Sequence, residues 1–569
     1  MLRGAALLAV LVALLSGGLH AQSLLDTLPE NTLGYFRMGG PLSTVRSMLG
    51  DEGLFHDPGK LRGEFDETIL EMLSEANDFL GFDEGSLPSW VKSVTAIEVA
   101  LFRMELTDSS PDMDFAVAMH TPLAKTIYAK VTRYLEEQAL AERNEETGET
   151  RVDAVEDVDL LIGRKNDMIV LAGSQPRLRE TMKAMRGVPA SGLKKSKRFR
   201  AAVGGTDGET MCYIRTGSIL KLVVEDETLN NTPLAIAKQL GLMKLTDFGY
   251  REKKGEGTQL SLTASDAVPV FEVLSAASAS PDVMRRLPVE TALAACWNGD
   301  PKTLWSRGSS LLLDPKRFMM APMLEESARQ VQQMLGIKLA EAAELLQPKV
   351  TFGMLPPDPK PGRRGEDWFL VGSFTDAEKG EGVVRQLIER LAKRASAELS
   401  TDEVAAWSVV ETDNAGLPAA AFSGTQFVVG TSRAVKRTAQ AMSADEPGLG
   451  RLPAFKTIPQ AASAYVWIGV GSLDVAMTGS SENRVFRKGA GAILALDVTK
   501  DRIRLHSHQP VAQGLTSLPF LFLGVSRAVE SEEVQRERDL AERARMEELK
   551  AREEKKKREE KKKKGGGMG

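Results

Sequence analysis

Cysteine is nearly absent from this chain. Cys212 and Cys296 are the only two in 569 residues, so a disulfide-stapled scaffold is excluded. Each lies in an apolar strand-like run, which reads as a buried free thiol; a single bridge between them stays open if the chain is exported. Six Trp and six Tyr are too few for an aromatic-rich carbohydrate-binding surface. There are five histidines, and His20, His56 and His120 stand alone. His506-Ser507-His508 is the one close pair. A strand would place both rings on one face, where two metal ligands could sit, but no third ligand follows at a metal spacing. His506 and His508 are therefore the metal candidates, and no cofactor is expected.

Catalytic signatures are missing as well. The sequence has no Gly-x-Ser-x-Gly elbow, no His-Glu-x-x-His and no dinucleotide fingerprint. Ser191-Gly-Leu-Lys194 fits Ser-x-x-Lys without the motifs that accompany it. Glu378-Lys-Gly-Glu-Gly382 lacks the Gly-Lys-Ser/Thr ending of a phosphate loop. Asp153, Glu156, Asp157 and Asp159 form an acidic cluster, which could bind calcium or serve as acid and base. The matching stretch around Glu411, Asp413 and Asn414 is equally polar, as a solvated turn would be. Nothing positive supports an enzyme.

Long apolar runs are also lacking beyond the first residues. Arg3 followed by the 11 apolar residues from Ala5 to Leu15, then Ser16-Gly-Gly18 and Leu19-His-Ala21, has the layout of a secretory signal with cleavage before Gln22. Eleven residues are too few to span a bilayer. The reading is a mature protein in the periplasm or outside the cell, not transmembrane once the signal is removed.

What is present is repetition. Leu28-Pro-Glu-Asn-Thr32 is echoed by Leu287-Pro-Val-Glu-Thr291 at an offset of 259, each followed by a strand and a proline-started helix at Pro41 or Pro301. Leu80-Gly81 returns as Leu335-Gly336, Asp114-Phe115 as Asp367-Trp368, and Met168–Ser174 as Gln426–Ser432. Phe199 and Phe455, then Gly217-Ser218 and Gly471-Ser472, complete six ordered markers with offsets between 253 and 259. They predict two tandem copies of one unit, 22–274 and 286–512, after a signal at 1–21. Residues 275–285 form the linker, 513–527 a connector and 528–569 a charged helical tail with a Gly-rich end.

Each copy reads as α+β: a mostly antiparallel sheet with helices packed on one face. The longest helices are expected at 123–140 and 377–397, with Ile127, Val131 and Leu135 or Val383, Leu387 and Leu391 facing the core. Gly217 and Gly471 are expected at strand ends, permitting a bulge or a close backbone approach. Tyr213 and Tyr465 precede them, and the copies could frame a cleft there. The Leu-Pro-acidic-Thr entry into an apolar strand (Leu28 to Met38, Leu287 to Trp297) and the strand-to-helix steps at Gly173 and Thr431 resemble a family of uncharacterised exported bacterial proteins, a domain of unknown function present in tandem. That resemblance implies no activity.

The tail is almost entirely Glu, Arg, Lys and Ala. Asp539/Arg543, Glu548/Arg552, Glu553/Lys557 and Glu560/Lys564 are acid-then-base pairs at the favourable i, i+4 spacing. As a helix it would extend roughly 55 Å at about 1.5 Å per residue, with apolar positions too sparse for a sustained coiled coil. Its basic end carries Lys555, Lys556, Lys557, Arg558, Lys561, Lys562, Lys563 and Lys564, on a chain of net charge −5. Such an end can dock on an anionic envelope surface or a protein partner; nucleic acid is not expected for an exported, net-acidic protein. The expected function is a non-enzymatic envelope scaffold with the tail as tether or spacer. The alternatives are a binder of a lipid-like ligand between sheet and helices, and a hydrolase with a dispersed site.

Overall fold

The computed structural model describes most of residues 23–507; the main stretches left out are 40–56, 64–92, 107–110, 144–149, 153–159, 182–191, 226–231, 357–366 and 479–485. Outside the described residues lie the segments expected to be signal, connector and tail, His56, His508, the acidic cluster at 153–159, Ser191, the helix start expected at Pro41, and Leu80-Gly81.

Among the described residues twenty strands form one sheet, and every pairing between them is antiparallel. The first half supplies β1 (Gly34–Gly39), β2 (Ala96–Leu106), β3 (Pro111–His120), β4 (Ala141–Arg143), β5 (Thr150–Val152), β6 (Leu160–Lys165), β7 (Met168–Ala172), β8 (Thr210–Ile214), β9 (Leu245–Lys253) and β10 (Gly257–Ala264). The second supplies β11 (Leu293–Trp297), β12 (Val350–Leu355), β13 (Asp367–Ser373), β14 (Leu399–Val404), β15 (Trp407–Thr412), β16 (Pro418–Ser423), β17 (Gln426–Thr431), β18 (Ala464–Ile468), β19 (Ala492–Thr499) and β20 (Arg502–Ser507). From its outer edge inward the first half runs β4-β5-β6-β7-β3-β2-β1-β8-β9-β10. The second runs β14-β15-β16-β17-β13-β12-β11-β18-β19-β20. The order is the same in both, and β10 pairs with β20 to join them.

Helices lie on both faces of this α+β sheet, not on one. In the second half Phe369, Val371 and Val428 pack under the helix Ser432–Ser443, through Ala434, Val435 and Ala439. The intervening Leu370, Phe427 and Val429 pack under the helix Ala377–Ala395, through Val384 and Ile388. The first half repeats this: Ala116 and Ala118 share a core with Phe199, while Phe115 and Val117 share one with Leu135. The physical reason is visible in the strands. Ala116-Val-Ala-Met119, Phe369-Leu-Val371 and Phe427-Val-Val429 are continuous apolar runs, which need cover on both faces.

The helices follow their predicted signals closely. Asp300 caps Pro301–Leu312 by accepting from the amides of Lys302 and Thr303, with Pro301 at the first helical position. Ala321–Leu335 stops at Gly336, whose φ of +77° suits glycine. Asp376 caps Ala377–Ala395, but the buried stripe is Gly380, Ile388 and Ala392 with Val384 beside it, one residue on from the expected Val383, Leu387 and Leu391. Small residues win the sheet-facing side because they let the helix approach. A Cβ on Gly380 would stand 2.2 Å from the Phe374 ring.

Gly217 and Gly471 are also relocated. They lie in the first turns of the helices Thr216–Glu225 and Val470–Thr478, not at strand bulges. The expected close approach is present: a Cβ on Gly217 would be 2.8 Å from the Leu245 carbonyl oxygen. Cys212 and Cys296 are free thiols, and burial pushes Cys212 up to about 11 and raises Cys296. Both are therefore poor nucleophiles.

Candidate functional site: the strand seam and its charged groove

The two halves meet where β10 and β20 pair, and the side chains there alternate between two faces. On one face, Val268 and Phe271 from the end of the first half pack with Val498 and Ile503 of the second. Backbone bonds reinforce that side: the Ala264 amide donates to the Asp501 carbonyl at 2.9 Å and Val268 to Lys500 at 2.7 Å. The segment after it is docked rather than loose. Ala279 bridges to Ala462, and its carbonyl accepts from the Tyr465 hydroxyl at 3.0 Å.

The other face carries the polar groups. Gln259 lies directly opposite His506 across the seam, with Arg251 beside it on β9. Ser261 lies opposite Arg504, and Arg504 opposite Asp497 on β19. A cavity of about 340 Å³ opens here, lined by Arg251, Glu256, Gln259, Asp497 and His506 among others. The helix Lys197–Val203 packs on β9 and β10 nearby. It comes close because β9 has glycine beneath it: a Cβ on Gly249 would stand 2.1 Å from the Ala202 carbonyl, which also accepts from the buried Ser261 hydroxyl.

Charges at the rim are paired off. Arg251 reaches Asp207 at 3.0 Å and Glu256 at 3.2 Å, and Lys253 reaches the same two carboxylates at 2.7 and 2.5 Å. The hydrogen bond from Lys253 holds both Asp207 and Glu256 below the usual carboxylate range. Exposed pairs of this kind fix side-chain positions and add little stability. The groove offers donors and acceptors in a fixed array, suited to holding a polar ligand or segment.

His506, a metal candidate, thus sits in the groove, opposite an amide side chain. Among the described residues no group of three or more His, Cys, Asp or Glu is arranged to hold a metal. The cleft expected near Tyr213 and Tyr465 is not formed by the halves. Their strands, β8 and β18, are internal to the sheet, and the facing edges β10 and β20 close on each other through hydrogen bonds.

A second polar constellation escaped the sequence reading. Glu98 is fully buried on β2, where it accepts from the Ser23 hydroxyl at 2.7 Å and from the Leu24 amide. Arg37 stands 3.6 Å away and His120 3.7 Å. Burial alone would push the carboxyl up. The interactions with His120, Arg37 and Ser23 outweigh it and hold Glu98 below its ordinary value. The same site raises the Tyr35 phenol, through burial first and then Glu98. A Glu–His pair resembles an acid/base couple, yet neither residue lines this groove, and the contacts fasten the chain's Ser23–Leu24 segment to the sheet. A charge inside Ala96-Ile-Glu-Val-Ala100 was the available signal.

No family model matches the chain, and no curated protein matches it. Two crystal forms of a protein titled TP0453 are similar over 43% and 44% of this chain and 82% of theirs, at 14% and 12% identity, with TM-scores of 0.23 and 0.22. Scores this low carry no argument about fold or function.

Proposed function

We propose that this chain is a non-enzymatic scaffold of the exported, tandem-domain kind: two copies of one α+β unit fused edge to edge, with the basic tail as a tether. The observation that carries this is the seam. Register followed along the sheet from the Leu28/Leu287 pair equates Leu101 with Met354, Ile214 with Ile468 and Gln259 with His506. Gln259 and His506 are the two residues placed directly opposite each other. An antiparallel pair of equivalent strands centred on equivalent residues is the geometry of a local twofold axis.

Packing supports the same equivalence. Phe199 meets Tyr213 with ring centroids 5.1 Å apart, and Phe455 meets Trp467 at 5.3 Å. The register equates Tyr213 with Trp467, and Phe199 and Phe455 are one of the ordered sequence markers. Fusing the halves through backbone hydrogen bonds produces one extended platform, which suits scaffolding. The lipid-binding alternative draws less support, because the cavity at the seam is lined largely by polar and charged side chains. Export is supported by the N-terminal sequence; among the described residues no helix is long and apolar enough to cross a membrane.

Sedimentation with anionic lipid vesicles tests the tethering role. The full chain is expected to co-sediment, and a chain ending at residue 527 to lose at least tenfold in recovery. Equal recovery of the two would remove the tail from the proposal.

A further inference from the structure

The halves differ most beneath the helix Thr216–Glu225. A cavity of about 460 Å³ there is lined by Arg198, Arg215, Lys221, Lys238 and Lys244, with no carboxylate among its described lining residues. Two of these cations are answered. Arg198 donates to both oxygens of the buried Asp247 at 2.7 Å, and Lys244 stands 3.4 Å from Asp266. Arg215, Lys221 and Lys238 are in no ion pair among the described residues. The Arg215 Nε is buried with no hydrogen-bond partner, an arrangement that leaves a donor unsatisfied unless a ligand accepts from it.

The helix start adds to this. Ser218 and Ile219 amides turn back onto the Arg215 carbonyl, as Ser472 and Leu473 do onto Gly469 in the second half. There the resemblance ends. The Gly471 amide donates to the Ala490 carbonyl at 3.0 Å, and a Cβ on Gly471 would stand 1.9 Å from the Arg487 carbonyl oxygen. Backbone lies against both helix starts, the Leu245 carbonyl near Gly217 and the Arg487 carbonyl near Gly471, but more tightly in the second half. Gly217 makes no such bond among the described residues. The basic side chains are replaced too: Gly469 occupies the register of Arg215, and Val475 that of Lys221.

We propose that this pocket of the first half binds a phosphate group bearing two or more negative charges, on a molecule small enough for the cavity. Three cations in no ion pair among the described residues suit a multiply charged anion. Guanidinium and ammonium groups beside a helix N-terminus match phosphate oxygens in geometry and sign. The pocket shares no residue with the groove at the seam, and its lining comes wholly from the first half.

Calorimetric titration of the full chain with inorganic pyrophosphate tests it. Saturable binding is expected. R215Q/K221Q should weaken it at least tenfold. K238Q, at an exposed position where folding is not at stake, should weaken it about threefold, and the affinity should fall as ionic strength rises. Replacing Lys561, Lys562, Lys563 and Lys564 with Gln should leave the affinity unchanged, which separates this pocket from the tail. Vesicles containing phosphatidic acid, with the tail-neutralised chain, distinguish the sources. Sedimentation displaced by pyrophosphate assigns a lipid headgroup, and pyrophosphate binding without sedimentation assigns a soluble phosphate ester. Absence of saturable pyrophosphate binding, or equal binding by wild type, R215Q/K221Q and K238Q, would overturn the proposal.

Discussion

At one register position the two halves of the sheet hold opposite kinds of residue: Arg37 faces Glu98 between β1 and β2, and Cys296 faces Thr351 between β11 and β12. The strands, their order and the aromatic pair above them are shared. The charge is not. In the first half Glu98 fastens Ser23 and Leu24; in the second the corresponding positions hold a buried thiol and, beside it, a buried hydroxyl. The helix starts differ in the same sense: the Gly471 amide is bonded to the Ala490 carbonyl in the second half, and cations line the pocket at the helix start in the first. What the halves share is the sheet and its aromatic pair, and what they do not share is the charge.

The largest effect expected on this comparison is at the Glu98 position. Glu98→Ala leaves Arg37, the Leu24 amide and the Ser23 hydroxyl without their acceptor and should cost about 3–5 kcal/mol, read by urea unfolding. A cost below about 1 kcal/mol would mean the cluster does not anchor the segment. The pH dependence follows from the lowered carboxyl. Its stabilisation is present above the unfolded pKa of about 4.3 and is lost as pH falls through the lower folded value. Glu98→Gln should flatten unfolding free energy across that acid window, and an unchanged slope would contradict the assignment.

Next comes the aromatic pair common to both halves. Tyr213→Phe removes a hydroxyl that donates to the buried Asp247 at 2.8 Å. Trp467→Phe removes an indole N–H that donates to the Thr291 carbonyl at 2.8 Å. Each should cost about 1–2 kcal/mol. Markedly unequal costs would break the equivalence. The smallest effect is expected at Thr351→Val, which removes a buried hydroxyl set against the weakly hydrogen-bonding Cys296 thiol and should change stability by less than about 1 kcal/mol, in either direction. A loss near that of Glu98→Ala would show that the second half has its own latch there.

Much of the fold was legible because repetition amplifies weak signals. The strands after Leu28 and Leu287, the strand-to-helix step at Thr431, the helix start at Pro301 and the stop at Gly336 all rest on local chemistry that a sequence displays. The faces of the sheet were harder. Continuous apolar runs such as Phe427-Val-Val429 give no alternation from which to choose a side, so one covered face was expected where there are two. The charged sites were illegible for a different reason. Arg37 and Glu98 are joined only by strand pairing, and Arg198, Arg215, Lys221, Lys238 and Lys244 are gathered from several elements with no motif among them. His506 could be picked out, but its neighbour Gln259 lies in the other half of the chain.

At the seam Gln259 and His506 stand directly opposite each other. Cys212→Ala/Cys296→Ala provides a background without thiols, and Gln259→Cys/His506→Cys adds a pair directly opposite each other, with Cβ atoms expected within about 4.5–5.5 Å. Mild oxidation followed by mass spectrometry of the digested chain should recover the 259–506 crosslink in most of the protein, while Gln259→Cys/Arg504→Cys, two positions out of register, should crosslink far less. No 259–506 crosslink, or equal yield from the two pairs, would contradict the seam and with it the single fused platform.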